Sequence, residues 1–442
     1  LEAEEIIMNE SPYVAIAANI NKMAWRAPRS KSGEGFSEAF LEYLQLLYTP
    51  QEATIARHLN VITDIFSTTI KPASFMTATQ IAKVSGQPLV EVNKALKQMS
   101  DKNVVVDMRK IIKASKATWP IRTVVVLWKA YKGEGLKETA RVLAEFFTST
   151  LESVRRYGIK SGMEFISMKL YAFPHISLLK NLQNFHDRIS PEVLKGAELY
   201  KKFFIEDKYY KFYETGAKGT PLYRTIPVSK TLAPEQKILD TEEAHEIIDA
   251  AASATLVPCP CRERTEKLGI RECRERNPIG SCIMLGFMGQ AMEGMGLGRQ
   301  VTKKQAKDYL DGMMEMGLVA ATENSEENTS RVICLCCECC CSEVRGRTRW
   351  DNPTAVAPSN FLPKSNKEIC AFCGKCANRC LFHAITVDKD NKRWKLKPEL
   401  CIGCGICAIG CKQSAVKLHR VERHKPFKTP QDLYRHIDME NR

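Results

Sequence analysis

Apolar positions first settle into a helical period at Phe36, Phe40, Leu41, Tyr43, Leu44 and Leu47, three to four residues apart on one face. A second helical segment is read over 51–65. Thr77-Ala-Thr-Gln80 has the form of a capping box, in which Thr77 closes a helix N-terminus and Gln80 reaches back to it. Gly86 ends that helix, and Pro88 starts the next at a position where its missing N–H costs nothing. Leu89, Val92, Leu96 and Met99, spaced by three, four and three, form its buried face. Val104 to Asp107 then reads as the start of a β-wing.

Helix, helix–turn–helix and wing in this order predict a winged-helix-like domain over 35–120, preceded by an N-terminal arm over 1–34. A mostly helical domain is expected over 121–238, with helices at 136–153, 161–173 and 192–204, the last started by Ser190-Pro191. Its aromatic residues Phe146, Phe147, Tyr157, Phe165, Tyr171, Phe173, Phe185, Tyr200, Phe203 and Phe204 are expected in the core. A helix over 240–252 leads into a cysteine-rich domain, 239–345. Within it Thr302-Lys-Lys-Gln305 is a second capping box, opening a helix to Met316, with Gly317 as its stop and a short strand over 318–321. A last domain over 346–442 ends in a basic tail. The fold class is therefore multidomain α+β.

Length and composition agree. A chain of 442 residues is too long for one ordinary domain, and 44% hydrophobic with 26% charged residues is a normal globular composition. No apolar run approaches the roughly 18–20 residues that span a bilayer. No basic segment followed by an apolar one opens the chain, so a signal peptide is not expected, although the start at Leu1 leaves open a removed initiator or leader. The net charge of +14 suits solubility, an acidic protein partner, an acidic membrane surface or nucleic acid. No long basic block forces the last of these.

The 18 cysteines change the picture, because none precedes Cys259. A secreted disulfide scaffold would scatter them through a small loop-rich domain; tight groups point instead to metal ligation in a reducing, cytoplasmic compartment. The clearest groups are Cys370-Ala-Phe-Cys373-Gly-Lys-Cys376-Ala-Asn-Arg-Cys380 and Cys401-Ile-Gly-Cys404-Gly-Ile-Cys407-Ala-Ile-Gly-Cys411. A loop with a thiolate at every third residue wraps three corners of a cubane, and the fourth cysteine opens a helix that faces the neighbouring cluster. Gly374, Gly403, Gly405 and Gly410 let the backbone approach. Zinc would not need eight cysteines in a duplicated register.

This stretch, about 55 residues from Lys367 to Arg420, resembles the bacterial-type two-[4Fe–4S] ferredoxins. The resemblance implies a [4Fe–4S] cluster on Cys370, Cys373, Cys376 and Cys411, and a second on Cys401, Cys404, Cys407 and Cys380. The proline that commonly follows the fourth cysteine is Leu381 in one run and Lys412 in the other, which leaves ligation intact but puts potential and packing in doubt.

Upstream, Cys259-Pro-Cys261-Arg, Cys273 and Cys282 supply the four thiolates of one further cluster or of a structural zinc site. Pro260 would fix an extended link, and Arg262, Arg264 and Arg271 would offset negative charge. Cys334-Leu-Cys336-Cys337-Glu-Cys339-Cys340-Cys341 has six thiolates in eight residues. In an extended chain Cys337, Cys339 and Cys341 would face one way and Cys334, Cys336 and Cys340 the other. Such a run could serve two clusters, trap one of unusual nuclearity, or leave spare thiols that are redox-active or idle. One or two further iron–sulfur clusters are thus expected in 259–341. The stretch from Leu256 to Cys341 resembles a unit of uncharacterised anaerobe iron–sulfur proteins, in which Cys-Pro-Cys-Arg and Cys-Cys-x-Cys-Cys-Cys runs precede a two-cluster ferredoxin domain, often behind a winged helix. That resemblance implies a redox role and no particular chemistry.

No phosphate loop, nucleophile elbow or carboxylate pair stands out, and Gly294-Met-Gly296-Leu-Gly298 reads as a turn, not a dinucleotide fingerprint. His175 and His186 read as core or surface residues. The expected function is an electron-transfer subunit of an anaerobic oxidoreductase complex, exchanging electrons with a flavoprotein or another redox subunit that converts the substrate. A redox enzyme with an unusual centre in 259–341 is the first alternative. A redox-sensing winged-helix DNA-binding regulator is the second, and Glu91 between the lysines of its recognition helix makes nucleic acid an unfavoured partner.

Overall fold

The computed structural model describes residues 11–23, 25–62, 74–114, 140, 143–182, 189–235, 238–239, 242–326 and 332–442. It is mixed α and β and divides into two compact units: Leu1–Tyr209 with Gln290–Leu297, and Tyr210–Gly289 with Gly298–Arg442.

In the first unit, α1 (Pro12–Ile20) lies within the stretch expected as an arm, yet Ile16, Ala17 and Ile20 are buried, and it packs on α2 (Glu38–Leu47) and α3 (Pro50–Ala56). The apolar face of α2 buries Phe40, Tyr43, Leu44 and Leu47. Strand β1 (Met76–Thr77) runs into α4 (Ala78–Ser85), where Thr77 and Gln80 form the full capping box and Gly86 takes the left-handed conformation at φ 67°. Helix α5 (Leu89–Asp101) buries Val92, Leu96 and Met99; Leu89 is half-buried, and Pro88 stands one position before the helix.

The expected wing takes another form. Strand β2 (Val106–Asp107) runs straight into α6 (Met108–Ala114) and does not turn back on itself. It pairs with β3 (Leu170–Ala172), which also pairs with β1, so β3 is the centre of a three-stranded sheet. That strand occupies the end of the helix expected over 161–173. Helix α7 (Ile159–Ile166) stops there because Met168 adopts a positive φ of 56° and the next residues bury themselves in the sheet. Residues 143–157 are helical, whereas the start of the helix expected over 136–153 lies outside the described residues, as do Phe185, His186 and most of the segment 115–142. Helix α8 (Pro191–Tyr200) is capped by the Ser190 side chain and continues as a π-helix, Lys201–Glu206. Its aromatic residues are core, with Tyr200 and Phe204 stacked at 4.8 Å and Phe203 edge-on to Phe40. Phe147, expected with them, is exposed. His175 is buried and caps a short helix by accepting from the Ser177 N–H.

The second unit is built on a seven-stranded sheet. Its order is β10 (Val356–Ala357), β4 (Tyr223–Thr225), β8 (Val319–Glu323), β9 (Val332–Cys336), β6 (Ser281–Leu285), β5 (Ala254–Pro258) and β7 (Arg299–Val301). All neighbours are antiparallel except β10 and β4. Helix α9 (Ala244–Ala250) and helix α11 (Lys303–Glu315) pack on one another, and Ala306, Leu310, Met313 and Met314 of α11 reach the main core. The Thr302–Gln305 capping box starts α11, and Gly317, at φ 103°, follows its end. Helix α10 (Pro260–Lys267) follows β5 directly, and α12 (Ser342–Thr348) follows β9 after a turn at 338–340.

The last part of this unit repeats one pattern. A strand β11 (Phe361–Ser365), a cysteine loop and a short helix α13 (Lys375–Asn378) lead to the hairpin of β12 (Ile385–Asp388) and β13 (Arg393–Leu396). A second cysteine loop and helix α14 (Ile406–Ile409) then lead to β14 (Val416–Arg420), which pairs with β11. The basic tail folds back on its own unit: Arg420 pairs with Glu242 at 2.8 Å, and α15 (Pro430–Asn441) buries Leu433, Tyr434 and Ile437, with the Tyr434 hydroxyl 2.8 Å from Glu323. Among the described residues no helix is long and apolar enough to cross a membrane.

Candidate metal centres

The two C-terminal loops form two sulfur-lined cavities. One is bordered by Cys370, Cys373, Cys376 and Cys411, the other by Cys380, Cys401, Cys404 and Cys407. Each therefore takes its fourth cysteine from the other run. Backbone N–H groups point at sulfur: Phe372 donates to Cys370 at 3.4 Å and Ala384 to Cys380 at 3.3 Å. Burial pushes the Cys404 thiol up to about 12 and the Cys407 thiol upward as well, so neither becomes a thiolate near neutral pH without a cation. The donor set fits: four soft thiolates per cavity, ringed by N–H donors, are what a metal or a metal–sulfide core requires. The two sets differ in access. Cys373 is exposed, whereas Cys401 and Cys407 are buried.

Arginines border the second set. Arg423 donates to the carbonyls of Cys401 (2.7 Å), Ser359 (2.9 Å) and Phe361 (3.0 Å). Gly403 holds φ at 71°, and a β-carbon there would strike the Phe361 carbonyl and the Ser359 hydroxyl, so only glycine lets this loop close on β11.

The ten upstream cysteines form two groups, and neither is the grouping expected from their order in the chain. The first is Cys273, Cys337, Cys339 and Cys340, all buried, with every sulfur within 4.8 Å of the others. The second is a closed ring of sulfur neighbours running Cys259, Cys261, Cys341, Cys336, Cys334, Cys282 and back to Cys259. Cys273, expected with Cys259, Cys261 and Cys282, belongs to the first group. It lies beyond the end of α10, in a loop that carries it over to the turn at 338–340. The expected alternation along 334–341 also fails at one place. The strand ends at Cys336, and the turn exchanges the positions of Cys340 and Cys341, so Cys341 joins Cys334 and Cys336.

The sheet explains the ring. Ile283 pairs with Ile333 and Met284 with Val332, a register that sets Cys282 across from Cys334. Cys334 and Cys336 share a face because they are two residues apart on one strand. Cys259 ends the extended segment after β5, and Pro260 begins a helix there instead of prolonging that segment, bringing Cys261 round to Cys259. The N-terminus of α10 gives Cys261 a favourable dipole. Its contacts with Cys259 and Cys341 pull its thiol down, as contacts with Cys337, Cys339 and Cys340 pull Cys273 down.

Two guanidinium groups lie beneath these sulfurs. Arg262 and Arg264 are each only 1% exposed. Arg262 donates to the carbonyls of Ile279 (2.5 Å) and Leu335 (2.7 Å), which carry no net charge. Burial works against its ionisation, but the sulfurs of Cys259, Cys337, Cys282 and Cys336 outweigh it and raise its pKa. A buried cation is costly unless anions surround it, and the groups placed to supply that charge here are cysteine sulfurs of both groups, which metal binding would hold as thiolates.

Three further residues were not singled out by sequence. Glu343 is buried with Oε2 3.2 Å from the Cys341 sulfur, and with Cys336 and Cys341 it forms a set able to hold a metal. Ser342 lies 3.9 Å from the Cys261 sulfur, and the Thr265 hydroxyl 3.0 Å from that of Cys340. The available signals were a carboxylate two residues past the cysteine run and a threonine one helical turn after Cys261. Comparison of the chain with protein-family models, with curated proteins and with solved structures returned no match.

Proposed function

We propose that the chain relays single electrons as the iron–sulfur subunit of an anaerobic oxidoreductase. In this reading two [4Fe–4S] clusters occupy the C-terminal cavities and a further iron–sulfur centre occupies the six-thiolate ring. When bound, each centre accepts and returns one electron at a time. The chain holds the thiolates, aims N–H groups at sulfur, excludes water from the inner sites and leaves the Cys373 edge open to a redox partner, for which a flavoprotein subunit is the natural class.

One observation carries this reading. The upstream sulfurs and the second C-terminal set border a single apolar core: Cys336 and Cys341 of the ring pack in it with Phe382, Ile402 and Ile406, and Cys380 and Cys404 lie against it. A shared core favours short electron steps between these sites, and the exposed Cys373 edge of the first set supplies the outer terminal. The duplicated strand, loop and short helix around the two cavities favour a two-[4Fe–4S] ferredoxin fold there. The pair of α4, capped at Thr77, and α5 favours a winged-helix-like segment in the first unit, with β3 in place of a hairpin wing.

The test is anaerobic purification with iron and sulfide counted per chain and electron paramagnetic resonance of the reduced protein. Two cubanes account for eight irons, so the expected count lies above eight with sulfide in proportion. A count that stops near eight would remove the ring from the relay, and a protein that binds no iron would end the proposal. Glu343 favours a second reading, a redox enzyme whose centre is the ring. A carboxylate among sulfurs is a weaker, exchangeable ligand for iron, and a change in the ring's spectrum on adding substrate to the isolated chain would establish that reading over the relay.

A further inference from the structure

The two upstream groups differ in size, and so do the ions they suit. Four equal bonds of about 2.3 Å from one zinc ion to sulfur, arranged tetrahedrally, place the sulfurs about 3.8 Å apart. In the four-thiolate group Cys273 is 3.9 Å from Cys337 and 3.8 Å from Cys340, while Cys339 is 3.8 Å from Cys337 and 3.4 Å from Cys340. A cubane separates its thiolates by the width of its core as well, so they stand farther apart than around one ion. The same molecule supplies the contrast. Among the described residues the C-terminal cysteines form no group of three sulfurs within 4.8 Å of one another, and they line cavities instead.

We infer that Cys273, Cys337, Cys339 and Cys340 bind a single tetrahedral Zn²⁺, as a closed structural site separate from the iron–sulfur centres. All four are at most 2% exposed, which leaves no open position for water or substrate. A zinc ion with four thiolates carries two net negative charges, and four arginines face it, three of them also ion-paired to Glu266, Glu338 and Glu272. Arg271 contacts Cys273; Arg276, Arg345 and Arg349 lie within electrostatic reach of Cys339. The ion would clamp the loop that carries Cys273 to the turn at 338–340. Arg276 pairs with Glu338 at 2.9 Å between the same two segments, and Arg349, at the end of α12, ties Glu272 of the Cys273 loop to that helix at 2.7 Å. Holding that turn is what sets Cys341 into the ring, so the zinc site would position the neighbouring centre without exchanging electrons itself. This inference does not rest on the relay, since the distances stand whether or not the other sites carry iron.

The full chain, purified without oxygen and with zinc present, should contain one zinc beside its iron. X-ray absorption at the zinc edge should give four sulfur neighbours near 2.3 Å. Growth with Co²⁺ should replace that ion and give the visible bands of a tetrahedral cobalt thiolate. Cys339→Ser should lose the zinc while the iron signals of the C-terminal sets persist. Absence of zinc and of the cobalt bands, or joint loss of about four irons and four sulfides in Cys339→Ser, would overturn the assignment. Should Cys339→Ser fail to fold, the zinc-edge and cobalt measurements on the unmodified chain decide alone. Zinc with a four-sulfur shell in a chain devoid of iron would leave this site standing and remove the relay.

Discussion

Arg347 Nη2 donates a 2.8 Å hydrogen bond to the Glu399 carbonyl, two residues before Cys401. The same arginine sits six residues beyond Cys341 on α12, a rise of about 9 Å along a helix. One two-turn helix therefore joins the six-thiolate ring to the second C-terminal set. The Arg347 side chain is half-buried, and the lost hydration lowers its pKa, while the Cys401 sulfur works in the opposite sense. Replacing it by Gln should make the centre that includes Cys401 harder to reduce, by tens of millivolts as an order of magnitude, because a nearby positive charge stabilises the reduced form. The centre at Cys370 should hardly move. A potentiometric titration followed by electron paramagnetic resonance reads both, and equal shifts in the two would refute a local charge effect.

Arg262→Leu removes a buried cation shared by both upstream groups and leaves two carbonyls without their donor. The expected loss is about 3–5 kcal/mol, with metal lost from 259–341 before the C-terminal sets. Arg262→Lys keeps the charge but not the fork, and should retain more metal than the leucine variant. Metal content and denaturant midpoints of the two variants check this order, and an Arg262→Leu protein as stable and as fully loaded as the parent would contradict it.

Gly403 and Gly374 provide a matched pair. Both have a positive φ, 71° and 76°, but a β-carbon at Gly374 meets nothing nearer than the Lys389 side chain at 3.8 Å. Gly374→Ala should cost about 1 kcal/mol for the left-handed backbone alone. Gly403→Ala adds a collision with the Phe361 carbonyl, for a total of about 3 kcal/mol. The second variant should also lose iron from the Cys401 set. Similar thermal shifts for the two would show that the Phe361 contact yields freely.

His424 gives a dependence on pH. Burial, with Arg224 and Arg423 nearby, lowers its pKa from 6.5 to about 4, and its Nε2 lies 2.6 Å from the Asn324 side-chain oxygen, so the neutral ring donates there. The unfolded chain takes up a proton near pH 6.5 and the folded one only near pH 4. Below 6.5 the unfolded state therefore binds more protons, and stability falls until about pH 4. After discounting for partial exposure, this amounts to about 1–2 kcal/mol. Between pH 7 and pH 4 the parent should lose about 1–2 kcal/mol more stability than His424→Gln, which has no such group to titrate, and parallel unfolding curves for the two would refute this.

The chain displays some of this structure openly. Both capping boxes, at Thr77 and Thr302, are four-residue signals whose hydrogen bonds close within the same four residues. The buried face of α5 is equally local, and the duplicated spacing of the eight C-terminal cysteines is plain in the sequence although each set closes across the two runs. Most of what failed to show was decided by partners far along the chain. Strand β3 is three residues long and is a strand because residues 76–77 and 106–107 lie on either side of it. The place of Cys273 depends on a turn more than sixty residues later, and the exchange of Cys340 and Cys341 depends on that turn being tight. Periodicity reports the regular conformation of a segment; β3 and the place of Cys273 are set by distant segments, and the exchange of Cys340 and Cys341 by a turn that breaks the regular alternation.

The ring of sulfurs also dictates an order of events in the life of the molecule. Its members come from β5, β6, β9 and the starts of two helices, and four of its six cysteines are buried. Once the sheet has closed, only Cys261 and Cys334 stay partly open to a metal carrier. Metal delivered while those strands are still apart would meet all six thiols, so insertion of the centre and closure of the sheet belong to one stage. Chains that close first would present two thiols to an arriving ion, and loading the other four would require the strands that carry them to part again.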